Sequence, residues 1–203
     1  KATNLHAKMP NYPEKGDVAA ANAILDKAGF KKDGDGVRMT AVLDLIPYGE
    51  DWRRAGEYLK QAMGDIGIKL ELRYEDVPTW LKRVYHRYDF EMNVNYFYQL
   101  GDPVLGVHRH YGTNQIRKGT HFVNSSRYSN SKLDALLDAG QREVDAGKRT
   151  GQYNEIQSIL ANDMPVVNLF ELEFLVVYNT KLKGAYGSAM GAYGSFREAY
   201  LED

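Results

Sequence analysis

Met39-Thr40-Ala41-Val42-Leu43-Asp44-Leu45-Ile46 is apolar apart from Thr40 and Asp44, and reads as a strand buried on both faces. Pro47-Tyr48-Gly49 ends it. A helix is then predicted from Glu50 to Gly64, with Ala55, Leu59, Ala62, Met63 and Ile66 as its apolar stripe and exit. Gly67 opens a second strand, in which Ile68, Leu70 and Leu72 alternate with Lys69, Glu71 and Arg73. Asp76 and Pro78 mark a further helix start, with Trp80, Leu81, Val84 and Tyr88 inward, and Phe90 begins a third strand. Strand, helix, strand, helix, strand with short turns is the form of consecutive βαβ units, so the fold class is α/β with a mainly parallel sheet flanked by helices.

Ligands of such sheets sit beyond the carboxyl ends of the strands. The third strand carries Met92, Val94, Tyr96 and Tyr98 on one face and Asn93, Asn95, Phe97 and Gln99 on the other, and it breaks at Gly101-Asp102-Pro103. Tyr48, Trp52 and the turn from Tyr98 to Asp102 are therefore expected along one edge.

Upstream, Lys1 to Lys15 with Pro10 and Pro13 reads as a connector. Asp17 caps a helix with Val18, Ala21, Ile24, Leu25 and Ala28 at helical spacing, stopped by Gly29. Asp33-Gly34-Asp35-Gly36 fits no calcium-loop register, because position six is Arg38 when Asp33 is first, and position one is Lys31 when Gly36 is sixth. It is a turn. Downstream, Val104 to Tyr128 reads as a long functional loop, Asn130 caps a helix with Leu133, Leu136 and Leu137 inward, and another helix runs from Lys148 to Asp163. Val166–Leu172 and Phe174–Asn179 are expected as closing strands, followed by an irregular tail.

The chain has 203 residues, 26 basic and 27 acidic, for a net charge of -1. That balance carries no electrostatic footprint for nucleic acid. With no cysteine, thiolate nucleophiles and cysteine-ligated zinc are excluded. Fifteen tyrosines favour a wet binding surface. The start at Lys1 is expected to follow a longer upstream region. His108-x-His110 with His121 resembles a metal cluster only if the first two share a strand face, and ordinary hydrogen bonding is the better reading. No metal or cofactor is expected. Ser125, Ser126, Ser188 and Ser195 lie in no nucleophile elbow, Glu171 and Glu173 share one strand face, and Gly184 to Gly194 has no dinucleotide register.

Ordered segments resemble the C-terminal lobe of family 5 extracellular solute-binding proteins, the peptide, nickel and opine receptors of ABC importers. They are Tyr12-Pro13-Glu14-Lys15 through Ala23-Ile24-Leu25-Asp26-Lys27-Ala28-Gly29-Phe30, then Leu59-Lys60-Gln61, Ile66 to Leu72, Tyr88-Asp89 and Gly101-Asp102-Pro103. Arg127-Tyr128-Ser129-Asn130, Ala161 to Val167 and Asn179 to Gly184 continue the match. The resemblance implies a periplasmic-binding-protein-like lobe over residues 1–184, with 1–15 arriving from a missing N-terminal lobe and 185–203 returning toward it. It also implies closure of two lobes around a small solute, ABC permease membrane subunits as partners, and an exported chain, periplasmic or extracellular and free to associate with a membrane.

In peptide-binding members, as the resemblance suggests, an aspartate four residues before the turn proline meets the ligand amine; here that position is Gln99. An uncharged amide at that point favours an opine, amino-acid conjugate or sugar derivative over a simple peptide. Tyr96 and Tyr98 offer stacking faces, and Arg109 or Arg127 could meet a carboxylate. Two alternatives follow from other classes: a small α/β carbohydrate-active enzyme using Asp102 and Glu171, and an interaction module built on exposed tyrosines.

Overall fold

A computed structural model describes residues 16–99, 101–172, 175–185 and 194–202. The connector over 1–15, Leu100, Glu173, Phe174, and residues 186–193 and 203 of the tail, Ser188 among them, lie outside the described residues. The chain divides into two compact units, one of residues 16–97 with Thr113–Tyr128, the other of Tyr98–Gly112 with the described residues from Ser129 onward.

The first unit is the α/β unit. Its strands are β1 (Met39–Leu45), β2 (Ile68–Arg73) and β3 (Met92–Val94), paired in the order β2-β1-β3 with both pairings parallel. Helix α1 (Val18–Lys27) precedes β1, α2 (Glu50–Gly64) joins β1 to β2, and α3 (Val77–Leu81) runs into a π-helical turn, Lys82–Arg87, before β3. Side chains cap these helices where the sequence signals them: Asp17 Oδ1 accepts from Ala20 N at 2.8 Å, and Asp76 Oδ1 from Thr79 N at 2.8 Å.

The sheet separates two apolar clusters. Leu43, Leu45, Ile68, Leu70 and Val94 pack with Trp52, Leu59 and Met63 of α2 and with Leu25 of α1. Ile46, Trp80, Val84, Tyr85 and Val123 form the second cluster. Helix α1 holds on by polarity more than by burial, since none of its residues is buried. Arg38, with its side chain 2% exposed, reaches Asp26 Oδ1 at 2.5 Å, Asn22 Oδ1 at 2.9 Å, Ile66 O at 2.9 Å and the carbonyl of Phe30.

Asp44 is the anomaly of the central strand, a carboxylate with no exposed surface. Arg73 of β2, its register partner, donates to it from Nε at 2.7 Å and from Nη2 at 2.8 Å. Arg83 of the π turn lies 3.6 Å away and binds Glu75 and Asp89, each at 2.6 Å. One buried anion thus ties β1, β2 and the following helix.

The second unit is mainly helical: α4 (Pro103–Tyr111), α5 (Ser131–Arg142) and α6 (Ala146–Asp163), with an antiparallel pair β4 (Leu182–Lys183) and β5 (Tyr200–Leu201). Leu133, Leu137 and Gly140 of α5 and Tyr153 and Ile156 of α6 are buried. Asn130 Oδ1 accepts from Lys132 N and Leu133 N, and Asp145 Oδ1 from Lys148 N.

Four expectations need correction. The segment from Val104 is not a loop at its start: Asp102 accepts from Val104 N at 2.9 Å and Pro103 occupies the first turn, which launches α4. The third strand stops at Val94: Ile46 N donates to Val94 O, Pro47 has no N–H to offer, and Tyr48 N turns back onto Ile46 O. Residues 165–172 and 175–179 contain no strand among the described residues, and Val167, Leu175 and Val177 are exposed. The π turn also shifts the helical phase, so Tyr85 is buried while Tyr88 takes a left-handed φ of 54° at the exit.

Two predictions follow from these burials. Removing one member of a buried ion pair strands the others, so Asp44→Ala should lower the unfolding free energy by about 3–5 kcal/mol in urea titration. His110, on α4, is held down to about 3 by burial and by the adjacent Arg109 cation. An unfolded histidine titrates near ~6.5, so the folded state takes up its proton later than the unfolded chain. Stability is therefore lost as pH falls from about 6.5 toward about 3. His110→Gln should flatten that part of the stability profile.

Candidate solute-binding surface

In the α/β unit the carboxyl ends of β1 and β3 bring three predicted residues together. Tyr48 follows β1, Trp52 lies in the first turn of α2, and Tyr96 lies two residues beyond β3. Trp52 stacks on Tyr96 with centroids 5.5 Å apart and 25° between planes, and Tyr48 meets Tyr96 edge-on at 6.0 Å. Tyr48 keeps 41% of its surface exposed. The three rings form a partly open aromatic corner suited to apolar faces of a ligand.

Beside it, at the ends of β1 and β2, lies a concavity of about 420 Å³ lined by Ile46, Pro47, Gly49, Arg53, Tyr74, Glu75 and neighbouring residues. Arg53 sits 4.4 Å over the Tyr74 ring, and Tyr74 is 40% exposed. Glu75 is partly buried, and the side-chain hydrogen bond from Arg83 holds its carboxyl below the usual range. The concavity thus presents a cation on an aromatic face and a carboxylate that stays ionised. Arg53, Tyr74 and Glu75 were missed in the sequence, although their signal was available: each lies within a turn of a strand's carboxyl end.

Arg127 belongs to the same unit but is engaged elsewhere. It has φ of 58° and stands 5.4 Å over Tyr88, which precedes β3 and so marks the strand's other end. This does not join it to the aromatic corner.

Tyr98, Gln99, Asp102 and Arg109 lie in the second unit. Tyr98 is half-buried. Exposed Gln99 lies against α4, where a Cβ added to Gly106 would meet Gln99 Oε1 at 2.3 Å and its Cα at 2.5 Å. Glycine at 106 is what lets the amide lie there. Asp102 accepts from Arg149 Nη2 at 2.8 and 2.9 Å while capping α4. Burial pushes its pKa up, but the Val104 N–H and the Arg149 guanidinium outweigh that and leave it lowered. Arg149 also donates to Gly140 O at 3.0 Å. These two residues border a concavity of about 740 Å³ between the start of α4 and the α5–α6 turn. Arg109 has its Nε buried without a hydrogen-bond partner among the described residues.

The histidines do not form the strand-face cluster that alternate spacing would give. His108 and His110 sit on a helix, where residues two apart point to different sides. His108 Nε2 lies 3.0 Å from Tyr153 Oη, and burial lowers its pKa. His121 faces His86 instead. Among the described residues no group of three or more candidate ligands could hold a metal. Glu171 is exposed, and Asp102 is committed to Arg149.

Residues 2–117 match the profile described as "Bacterial extracellular solute-binding proteins, family 5 Middle". Protein XP55 of Streptomyces lividans is 29% identical over 172 residues, 83% of this chain and 31% of that protein. Di/tripeptide-binding protein 1 of Pseudomonas aeruginosa is 27% identical over 150 residues, 74% of this chain and 27% of that one. The chain thus spans under a third of these curated relatives. Among solved structures, the ABC transporter-associated periplasmic binding protein DppA from Helicobacter pylori in complex with peptide STSA is similar in fold, with a TM-score of 0.68 and 20% identity over 95% of this chain and 36% of that one. No described helix is long and apolar enough to cross a membrane. The profile covers more than half of the chain and is that of a family of solute-binding proteins, not of enzymes: the chain belongs to the bacterial extracellular solute-binding proteins of family 5.

Proposed function

We propose that the chain forms the C-terminal lobe of a two-lobed receptor, which captures a small solute outside the cytoplasmic membrane by hinge closure and delivers it to an ABC permease. The observation that carries this reading is the convergence of Tyr48, Trp52 and Tyr96 beyond the carboxyl ends of parallel strands. The aromatic corner supplies contact area, and the Arg53–Tyr74 pair and Glu75 beside it supply polar groups that orient a ligand.

A peptide-class solute is the reading with most support, since curated relatives carry di- and tripeptide-binding names. Gln99 modifies it. An amide there gives no charge-assisted bond to an ammonium, so the solute's amino end is held by another group or is itself modified, as in an opine or conjugate. In the second unit, Tyr98 and Arg109 are further candidate contacts, each to be tested by itself. Asp102 serves indirectly, as the ion-pair partner of Arg149 that fixes the start of α4.

The decisive experiment uses the full-length receptor: native mass spectrometry identifies the co-purifying solute, and calorimetry then measures its affinity. Trp52→Ala or Tyr96→Ala should weaken binding by about 10-fold or more, equivalent to at least ~1.4 kcal/mol. Unchanged affinity in both would overturn the site. Gln99→Asp should leave the native solute bound equally or less well. A gain for an unmodified dipeptide would show instead that position 99 merely lacks a charge.

A further inference from the structure

We propose that His86 and His121 form a binding site for a single divalent transition-metal ion of the copper(II) or nickel(II) class, separate from the solute-binding surface. Their Nε2 atoms face each other at 3.0 Å, with ring centroids 5.2 Å apart and 47° between planes. Two imidazole nitrogens, each about 2.1 Å from a common ion, stand about 3.0 Å apart at right angles and about 3.4 Å apart at a tetrahedral angle. The separation fits the right-angled case. Cis nitrogen pairs of that kind suit the square-planar and tetragonal preferences of copper(II) and nickel(II) more than tetrahedral zinc.

The two rings are held in place by the chain that carries them. His86 lies in the π turn Lys82–Arg87, a backbone form that gathers at functional sites. His121 lies in the segment after Gly119, whose N–H donates to Tyr85 O at 2.8 Å and so fastens that segment to the π turn. The buried Tyr85 ring packs on both His121 and Phe122, at 5.9 and 5.7 Å. Gly119 has φ of +86°, and a Cβ there would come within 3.8 Å of the His86 ring.

Both histidines are exposed, so an ion reaches them from solvent. No third histidine or carboxylate among the described residues joins them, and water completes the shell. In the metal-free form one Nε2 carries the proton of the contact, and on loading that proton passes to Nδ1 of the same ring, freeing both lone pairs. Neither histidine belongs to the aromatic corner; Tyr85, whose ring packs on His121, accepts from Asn95 Nδ2 at 2.6 Å just past β3.

The test is calorimetric titration of the chelator-stripped receptor with copper(II) and nickel(II) chloride. One equivalent should bind, and His86→Gln or His121→Gln should each lower the affinity at least ~10-fold, as loss of a ligand must cost no less than loss of a supporting partner. Absence of binding, or equal binding by the double variant, overturns the proposal. Paramagnetic resonance of the copper(II)-loaded native chain gives a readout independent of variant folding: two coordinated imidazole nitrogens are expected, and one or none contradicts the site.

Discussion

The α/β unit depends on a buried anion. Asp44 occupies the middle strand with no exposed surface, and a carboxylate there is tolerable only because Arg73 grips both its oxygens and Arg83 stands close behind. The consequence is geometric. Arg73 is the register partner of Asp44, so a one-residue slip of β2 would present a different side chain to the carboxylate and turn its apolar set outward. Arg83 extends the constraint to Glu75 before α3 and Asp89 before β3. The network therefore fixes where the chain leaves β2 and where it re-enters the sheet.

What that placement achieves is visible at the strand ends. Ile46 closes the β1–β3 ladder on Val94, Pro47 and Tyr48 turn away, and Trp52 in the first turn of α2 comes to lie on Tyr96. Because Asp44 anchors the strand just before this turn, the aromatic corner rests on rigid structure. Glu75 is shared between the network and the concavity next to the corner, linking the fold's electrostatics to the proposed recognition surface.

The parallel sheet and most helix starts were legible in the sequence because their causes are local. Asp17, Asp76 and Asn130 precede apolar residues at helical spacing, and each side chain caps as expected. Asp102-Pro103 carries the same signal, but the glycines and basic residues after it obscured the helix that it starts. The π turn was not legible, since an extra residue per turn leaves no compositional mark, and with it went the burial of Tyr85 and the meeting of His86 with His121. Val166–Leu172 has the apolar, β-branched composition of a strand, yet a strand needs a neighbour, and neighbours are set by the whole fold. Tyr48 and Trp52 could be grouped from the strand-end rule, whereas Tyr96 was legible only as a stacking face and its place on Trp52 depends on where β3 ends. Arg127 could not be placed, because its position depends on a left-handed turn and on Tyr88.

The central claim, that solute is held at the carboxyl ends of the parallel sheet, is tested most directly by hydrogen–deuterium exchange on the full-length receptor with and without its solute. Added protection should concentrate at residues 46–53, 74–77 and 95–97, with little change in α1. Protection that spares the first two segments would contradict the placement of the solute at this surface.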